Sequence, residues 1–97
     1  MKCQTDRYAR WFTGLRDRKA RARILVRIRR LSLGNPGDVS SVGEGVLEMR
    51  IHYGPGYRVC FLERGETVII LLAGGSKRTQ QRDIQTALTL ARNLKKA

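Results

Sequence analysis

The chain has 97 residues, 41% of them hydrophobic and 29% charged, enough for one domain with a modest core and too apolar for a disordered chain. Twenty Lys and Arg stand against eight Asp and Glu, a formal charge of +12, so polyanions are the partner class, either nucleic acid or an acidic protein. Two cysteines without paired spacing, no apolar leader after Met1 and a longest apolar run of only 68–73 argue against a disulfide framework, secretion and a membrane span, and a cytoplasmic protein with no membrane partner is expected.

In chain order, Met1 to Gln4 read as a short edge strand, and Thr5 or Asp6 can cap a first helix whose apolar face is Tyr8, Trp11, Phe12 and Leu15. A second helix is predicted from Arg16 to Leu33, with Ile24, Leu25, Ile28 and Leu31 at helical spacing and arginines, among them Arg27 and Arg30, around the rest. The Gly-Asn-Pro-Gly run at 34–37 ends it. After a Ser-, Val- and Gly-rich loop, 46–51 alternates as a strand with Leu47, Met49 and Ile51 on one face and Glu48 and Arg50 on the other. Gly54-Pro55-Gly56 form a turn into a strand over 57–63, in which Val59 and Phe61 share the core face and Arg58, Cys60 and Leu62 the other.

A hairpin turn is expected at Arg64-Gly65-Glu66, followed by a central strand over 68–73 that lacks alternation because both faces are covered. Gly74 and Gly75 are expected to break it, and a last helix from about Thr79 carries a stripe of Ile84, Ala87, Leu88, Ala91 and Leu94, with Asp83 and Lys95-Lys96 matched to its dipole. The layout is α+β, an antiparallel meander packed against helices. Charge is uneven along it: residues 1–30 hold eleven basic and two acidic side chains, 31–66 three and five, and 67–97 six and one.

Three segments, Gly45-Val46-Leu47-Glu48-Met49-Arg50-Ile51, Tyr53-Gly54-Pro55-Gly56-Tyr57-Arg58-Val59 and Leu71-Leu72-Ala73-Gly74-Gly75-Ser76-Lys77, resemble in order and spacing the RelE/HigB toxin superfamily, most closely its branch of addiction-module killer proteins. The Arg-rich helix and the 34–38 loop are similar as well, so the likeness covers nearly the whole chain. The resemblance implies a RelE-like fold, a helical hairpin on a small antiparallel sheet with a C-terminal helix. It also implies a ribosome-dependent endoribonuclease that cuts mRNA in the A site without a metal or other cofactor, neutralised by a helix-turn-helix antitoxin of the HigA kind. By motif position it puts the site's basic residues at Arg50, Arg58 and Lys77. Two features depart from the pattern: Cys60 stands where related toxins often carry an aromatic residue, and no tyrosine follows Tyr57.

Cleavage of RNA by its own 2′-hydroxyl needs an in-line approach, a base, stabilisation of extra charge on the phosphate and an acid for the leaving oxygen. Arg50 and Arg58 on adjacent strands can supply the third, each with two hydrogen bonds, and Lys77 at a strand-to-helix junction can add a cation beside free amides. Each is otherwise a solvated charge. His52, the only histidine, has the ordinary pKa for proton transfer, though a histidine beside a glycine turn also fits a surface role. Tyr53 can stack on a base, whereas Tyr57 falls on the core face. Arg78, Arg82, Arg92, Lys95 and Lys96, with Arg27 and Arg30 of the second helix, are expected to grip the mRNA or ribosomal RNA backbone. The rival readings are a ParE-like gyrase poison on the same fold and a basic RNA-binding module without activity.

Overall fold

The computed structural model describes residues 2–65 and 67–96, leaving aside the side chains of Lys95 and Lys96; Met1 and Glu66 of the expected edge strand and turn fall outside the described residues. Strand β1 (Lys2–Gln4) stops at Thr5, whose hydroxyl accepts from the Tyr8 amide at 3.1 Å and donates to the Leu72 carbonyl at 2.6 Å. One residue thereby caps helix α1 (Asp6–Thr13) and pins its start to the sheet. Asp17 does the same for α2 (Arg18–Ser32), accepting from the amides of Lys19 and Ala20. Gly34, at φ +87°, ends that helix as expected.

The stretch read as a loop contains a strand, β2 (Val39–Gly43), paired with β3 (Val46–Ile51). Its Ser-Ser centre and half-exposed edge position give it almost no alternation to read. The connection is a two-residue turn with Glu44 at φ +53° and Gly45 at φ +82°, the mirror-type turn whose twist suits a hairpin, though Glu is an unusual residue at its first position. Strands β4 (Tyr57–Arg64) and β5 (Val68–Ser76) complete a five-stranded sheet ordered β1-β5-β4-β3-β2. Pairing is antiparallel except that β1 lies parallel to β5, so the sheet is mixed.

The double glycine does not break β5, which runs on through both residues to Ser76. They are there for close approach: a Cβ on Gly74 would lie 2.2 Å from the Trp11 ring, and one on Gly75 would lie 1.8 Å from the Asp83 carboxylate. A 3₁₀ turn (Lys77–Thr79) then leads into helix α3 (Gln80–Lys96).

The sheet carries a core on each face. Tyr8, Ile24, Ile28, Met49, Ile51, Val59, Phe61 and Leu71 cluster under α1 and α2, while Val46, Cys60, Leu62, Leu72, Ala87, Leu88 and Ala91 cluster under α3. Alternation sorts the β4 side chains between the two as predicted. Leu25 departs from its predicted place in the α2 core face and stays 50% exposed, since one residue past Ile24 it sits about 100° round the helix. Among the described residues no helix is long and apolar enough to cross a membrane, and no cluster of metal-ligating side chains occurs.

Candidate functional site

The face carrying Arg50 and Arg58 is the α3 face, so most of it is buried core and only the end near the 52–56 turn lies beside solvent. Helix α3 packs over β5 and β4 and begins at that end, where Gln80 meets Glu48, so a polar corner forms among β2, β3, β4 and the first residues of α3. The ladder sets Arg50 directly opposite Arg58, and Glu48 opposite Cys60. Like charges directly opposite on a sheet repel, and the corner carries its own compensation.

Glu48, read from alternation as sharing the exposed face, is only 1% exposed. Its Oε1 accepts from Arg58 Nη1 at 3.1 Å and from the Gln80 amide at 2.9 Å, its Oε2 lies 3.2 Å from the same amide nitrogen, and Arg50 Nε stands 3.7 Å away. The carboxylate thus joins both arginines to the first turn of α3. Arg50 is further held by a hydrogen bond to Ser40 Oγ at 3.1 Å and an ion pair with Asp38 at 3.6 Å. The Nε–H groups of both arginines are buried and make no hydrogen bond. Arg58 side chain is 16% exposed and that of Arg50 38%, so both reach the surface with their positions fixed from beneath.

His52 extends the network at its exposed end. Its Nε2 lies 2.6 Å from Asp38 Oδ2, and its side chain is 75% exposed. That bond, followed by the charges of Arg50 and Arg27 and opposed by desolvation, holds the Asp38 carboxyl below the usual carboxylate range. An unbroken series of polar contacts therefore runs from His52 through Asp38, Arg50 and Glu48 to Arg58.

Lys77 lies at the strand-to-helix junction as expected and is exposed. Two of the amides there are taken: Ser76 N–H donates to Thr79 Oγ1 at 3.1 Å and Lys77 N–H to the Pro55 carbonyl at 3.4 Å. Lys77, Arg78 and Arg82 line a shallow groove of about 600 Å³ together with Gln80, the residue whose amide reaches Glu48. The groove and the arginine pair share that one side chain.

Arg27 and Arg30 lie elsewhere, on α2 across the sheet. With Lys19, Arg23, Val26 and His52 they line a second groove, about 480 Å³. The Arg27 guanidinium is spent on carbonyls, those of Arg50, Pro36 and Asp38, and so acts as a brace for the 34–38 loop. Tyr53 gives its hydroxyl to Asp17 at 3.0 Å and one ring face to Arg23 at 4.6 Å. Arg92 forms a two-point pair with Glu44. Cys60 is packed as expected: burial first, then the charges of Glu48 and Asp83, push its thiol up to about 12.

Residues 10–96 match the family described as Phage derived protein Gp49-like (DUF891). The chain belongs to this Gp49-like family. The family is associated with addiction-module toxins, and as a Gp49-like protein the chain has an antitoxin as the partner its family implies. A relative from Haemophilus influenzae, described as an uncharacterized protein, is 45% identical over 84 residues, which is 87% of this chain and 85% of its own. No solved structure matches the chain.

Sequence reasoning named Arg50, Arg58 and Lys77 and missed the groups that hold the two arginines. Ser40, Glu48 and Gln80 come from three separate elements, β2, β3 and α3, and Asp38 from the loop before β2. Only the odd presence of an acid between apolar residues of a core strand marked Glu48.

Proposed function

We propose that this Gp49-like chain is the toxin of a type II toxin–antitoxin pair, with a RelE/HigB-like fold, and that it cleaves ribosome-bound mRNA in the cytoplasm. The observation that carries the reading is the directly opposed pair Arg50–Arg58, tethered to a buried carboxylate yet open to solvent on one side. Two guanidinium groups at adjacent-strand spacing suit a phosphodiester whose charge grows as the 2′-oxygen attacks. The new bond joins the 2′-oxygen to phosphorus and the bond to the 5′-oxygen breaks, leaving a 2′,3′-cyclic phosphate and a 5′-hydroxyl. The 2′-hydroxyl proton leaves to a base and the 5′-oxygen takes one up. In this reading His52, hydrogen-bonded to Asp38 at the rim, carries one of these transfers.

Lys77, Arg78 and Arg82 continue the positive surface and grip the message or ribosomal RNA backbone. Arg30 offers a further phosphate contact on the opposite layer. A helix-turn-helix antitoxin restrains the toxin in this reading.

The test is primer extension on a reporter mRNA in a translating extract. Wild-type protein is expected to cut within codons of ribosome-bound message and to leave free message intact. Arg58→Ala is expected to lose at least tenfold in rate while remaining folded. Equal cutting by both removes Arg58 from the site, and DNA-damage signalling without shortened transcripts would establish a gyrase poison in its place.

A further inference from the structure

We infer that Glu48 is a positioning residue of the RNA-cleaving site: its buried carboxylate fixes the guanidinium groups of Arg58 and Arg50 in the orientation that meets the scissile phosphate. The inference rests on the activity proposed above and assigns within it a residue that never touches RNA.

Exposure separates a positioning role from a chemical one. At 1% exposed and covered by Gln80, Arg58 and Arg50, Glu48 has no face left for a hydroxyl or a phosphate oxygen. Its contacts come from three elements, β3, β4 and α3. A buried ion pair is a weak source of stability, since desolvating the charges offsets their attraction; what it gives is one defined geometry. Here that geometry concerns two arginines that repel each other across a ladder. Without the carboxylate Arg58 loses the acceptor of its Nη1, whereas Arg50 keeps Ser40 and Asp38, so Arg58 is the guanidinium that depends most on Glu48. Glu48 engages Arg58 through Nη1 and its Nε is buried, so Nη2 is the nitrogen these contacts leave for an incoming phosphate.

Gln80 gives this device a second part. It reaches the same carboxylate from the first turn of α3, next to Lys77 and Arg78. The arginine pair and the basic groove are therefore kept at a fixed separation through Glu48.

Three proteins decide it: wild type, Glu48→Gln and Gln80→Leu, each checked for folding by circular dichroism. Glu48→Gln keeps the shape and removes the charge. Expected are at least a tenfold fall in cleavage rate at saturating ribosomes, a KM for ribosomes within twofold of wild type, and no change in the pH profile, because a base would take its ionisation limb away with it. Gln80→Leu is expected to lose about threefold in rate. Independently of activity, the Nε–Hε signals of the arginines in nitrogen-15 spectra are read. Wild type is expected to give a resolved, slowly exchanging signal for Arg58 that collapses into the exposed-arginine envelope in Glu48→Gln, while Arg50, still held by Ser40 and Asp38, keeps its own. An active Glu48→Gln protein, a changed pH profile, or an unaltered Arg58 signal in Glu48→Gln overturns the inference. If wild type does not cut at all, the proposed activity falls, and the positioning role is then decided by the arginine signals. Should Glu48→Gln not fold, Gln80→Leu with unchanged rate and unchanged signals overturns it.

Discussion

Replacing Gly74 with alanine tests the reading of the double glycine as a packing device. The added Cβ would meet three atoms of the Trp11 ring at 2.2, 2.3 and 2.6 Å, against the 3.4 Å or more of ordinary contact, so the ring must withdraw by over an ångström. Trp11 is only half buried, yet its ring also packs against Tyr8 at 5.6 Å and Tyr57 at 6.3 Å between centroids, which leaves little room to move. Overpacking of this kind costs about 2 kcal/mol, equivalent to a melting temperature lower by roughly 8–16 °C in a domain of this size. Calorimetry and urea unfolding measure it, with an unchanged m-value expected. The cycle with Trp11→Leu isolates the cause: once the ring is gone, Gly74→Ala is expected to cost less by at least about 1 kcal/mol. Wild-type stability in Gly74→Ala, or additivity in the cycle, refutes the argument and returns Gly74 to a conformational role.

The neighbouring Gly75→Ala places its Cβ 1.8 Å from Asp83 Oδ2 and 2.6 Å from Thr79 Oγ1; displacement of the first turn of α3 is expected to lower both melting temperature and cleavage, the latter through Gln80. Cys60, buried with its thiol pushed up to about 12 from an ordinary 9, holds its proton more tightly folded than unfolded. The stability this gives is complete below about pH 9 and is lost as pH rises toward 12. Cys3, which is exposed, is expected to react with a thiol reagent in native protein, and Cys60 only after unfolding. Asp38 has the opposite sign: its lowered value contributes stability above the ordinary 3.8 that is lost as pH falls through the folded value, so Asp38→Asn is expected to flatten the acid limb of the stability profile. Arg27→Lys, unable to reach three carbonyls at once, is expected to lower stability by about 1 kcal/mol and to leave ribosome affinity unaltered, in contrast to Arg78→Glu.

The elements legible in the sequence are those whose packing has a period. α1, α2 and α3 follow apolar stripes, and β3 and β4 alternate. What escaped is governed by contacts that periodicity does not record. β2 is defined by backbone pairing to β3, with side chains that are half exposed on both faces. The Gly74-Gly75 pair carries the ordinary mark of a break, yet its meaning lies in Trp11 and Asp83, more than sixty residues before and eight after. The site divides the same way. Arg50 and Arg58 were legible because alternation puts both on one face and the register aligns them. Arg27 looked like the other arginines of its helix, and only the folded 34–38 loop, whose carbonyls it binds, separates it from them.

The charge distribution has a consequence for how such a site functions in a chain at +12. A cluster of unrestrained cations would bind any polyanion, and its side chains would spread to reduce mutual repulsion, which favours affinity over a defined geometry. At the corner of this sheet the two arginines are instead interleaved with two carboxylates, Glu48 beneath and Asp38 at the rim, while the flanking Lys77, Arg78 and Arg82 line a groove whose other side chains are uncharged, with Asp83 3.9 Å from Arg82 as the nearby acid. Long-range attraction is thereby assigned to the flanks and local orientation to the centre. Removing a flanking cation is expected to reduce ribosome binding and its salt dependence with the cutting rate at saturation preserved, whereas removing a central residue reduces that rate with binding preserved. Flank and centre substitutions that moved the same parameter would show that charge alone, and not its arrangement, does the chemistry.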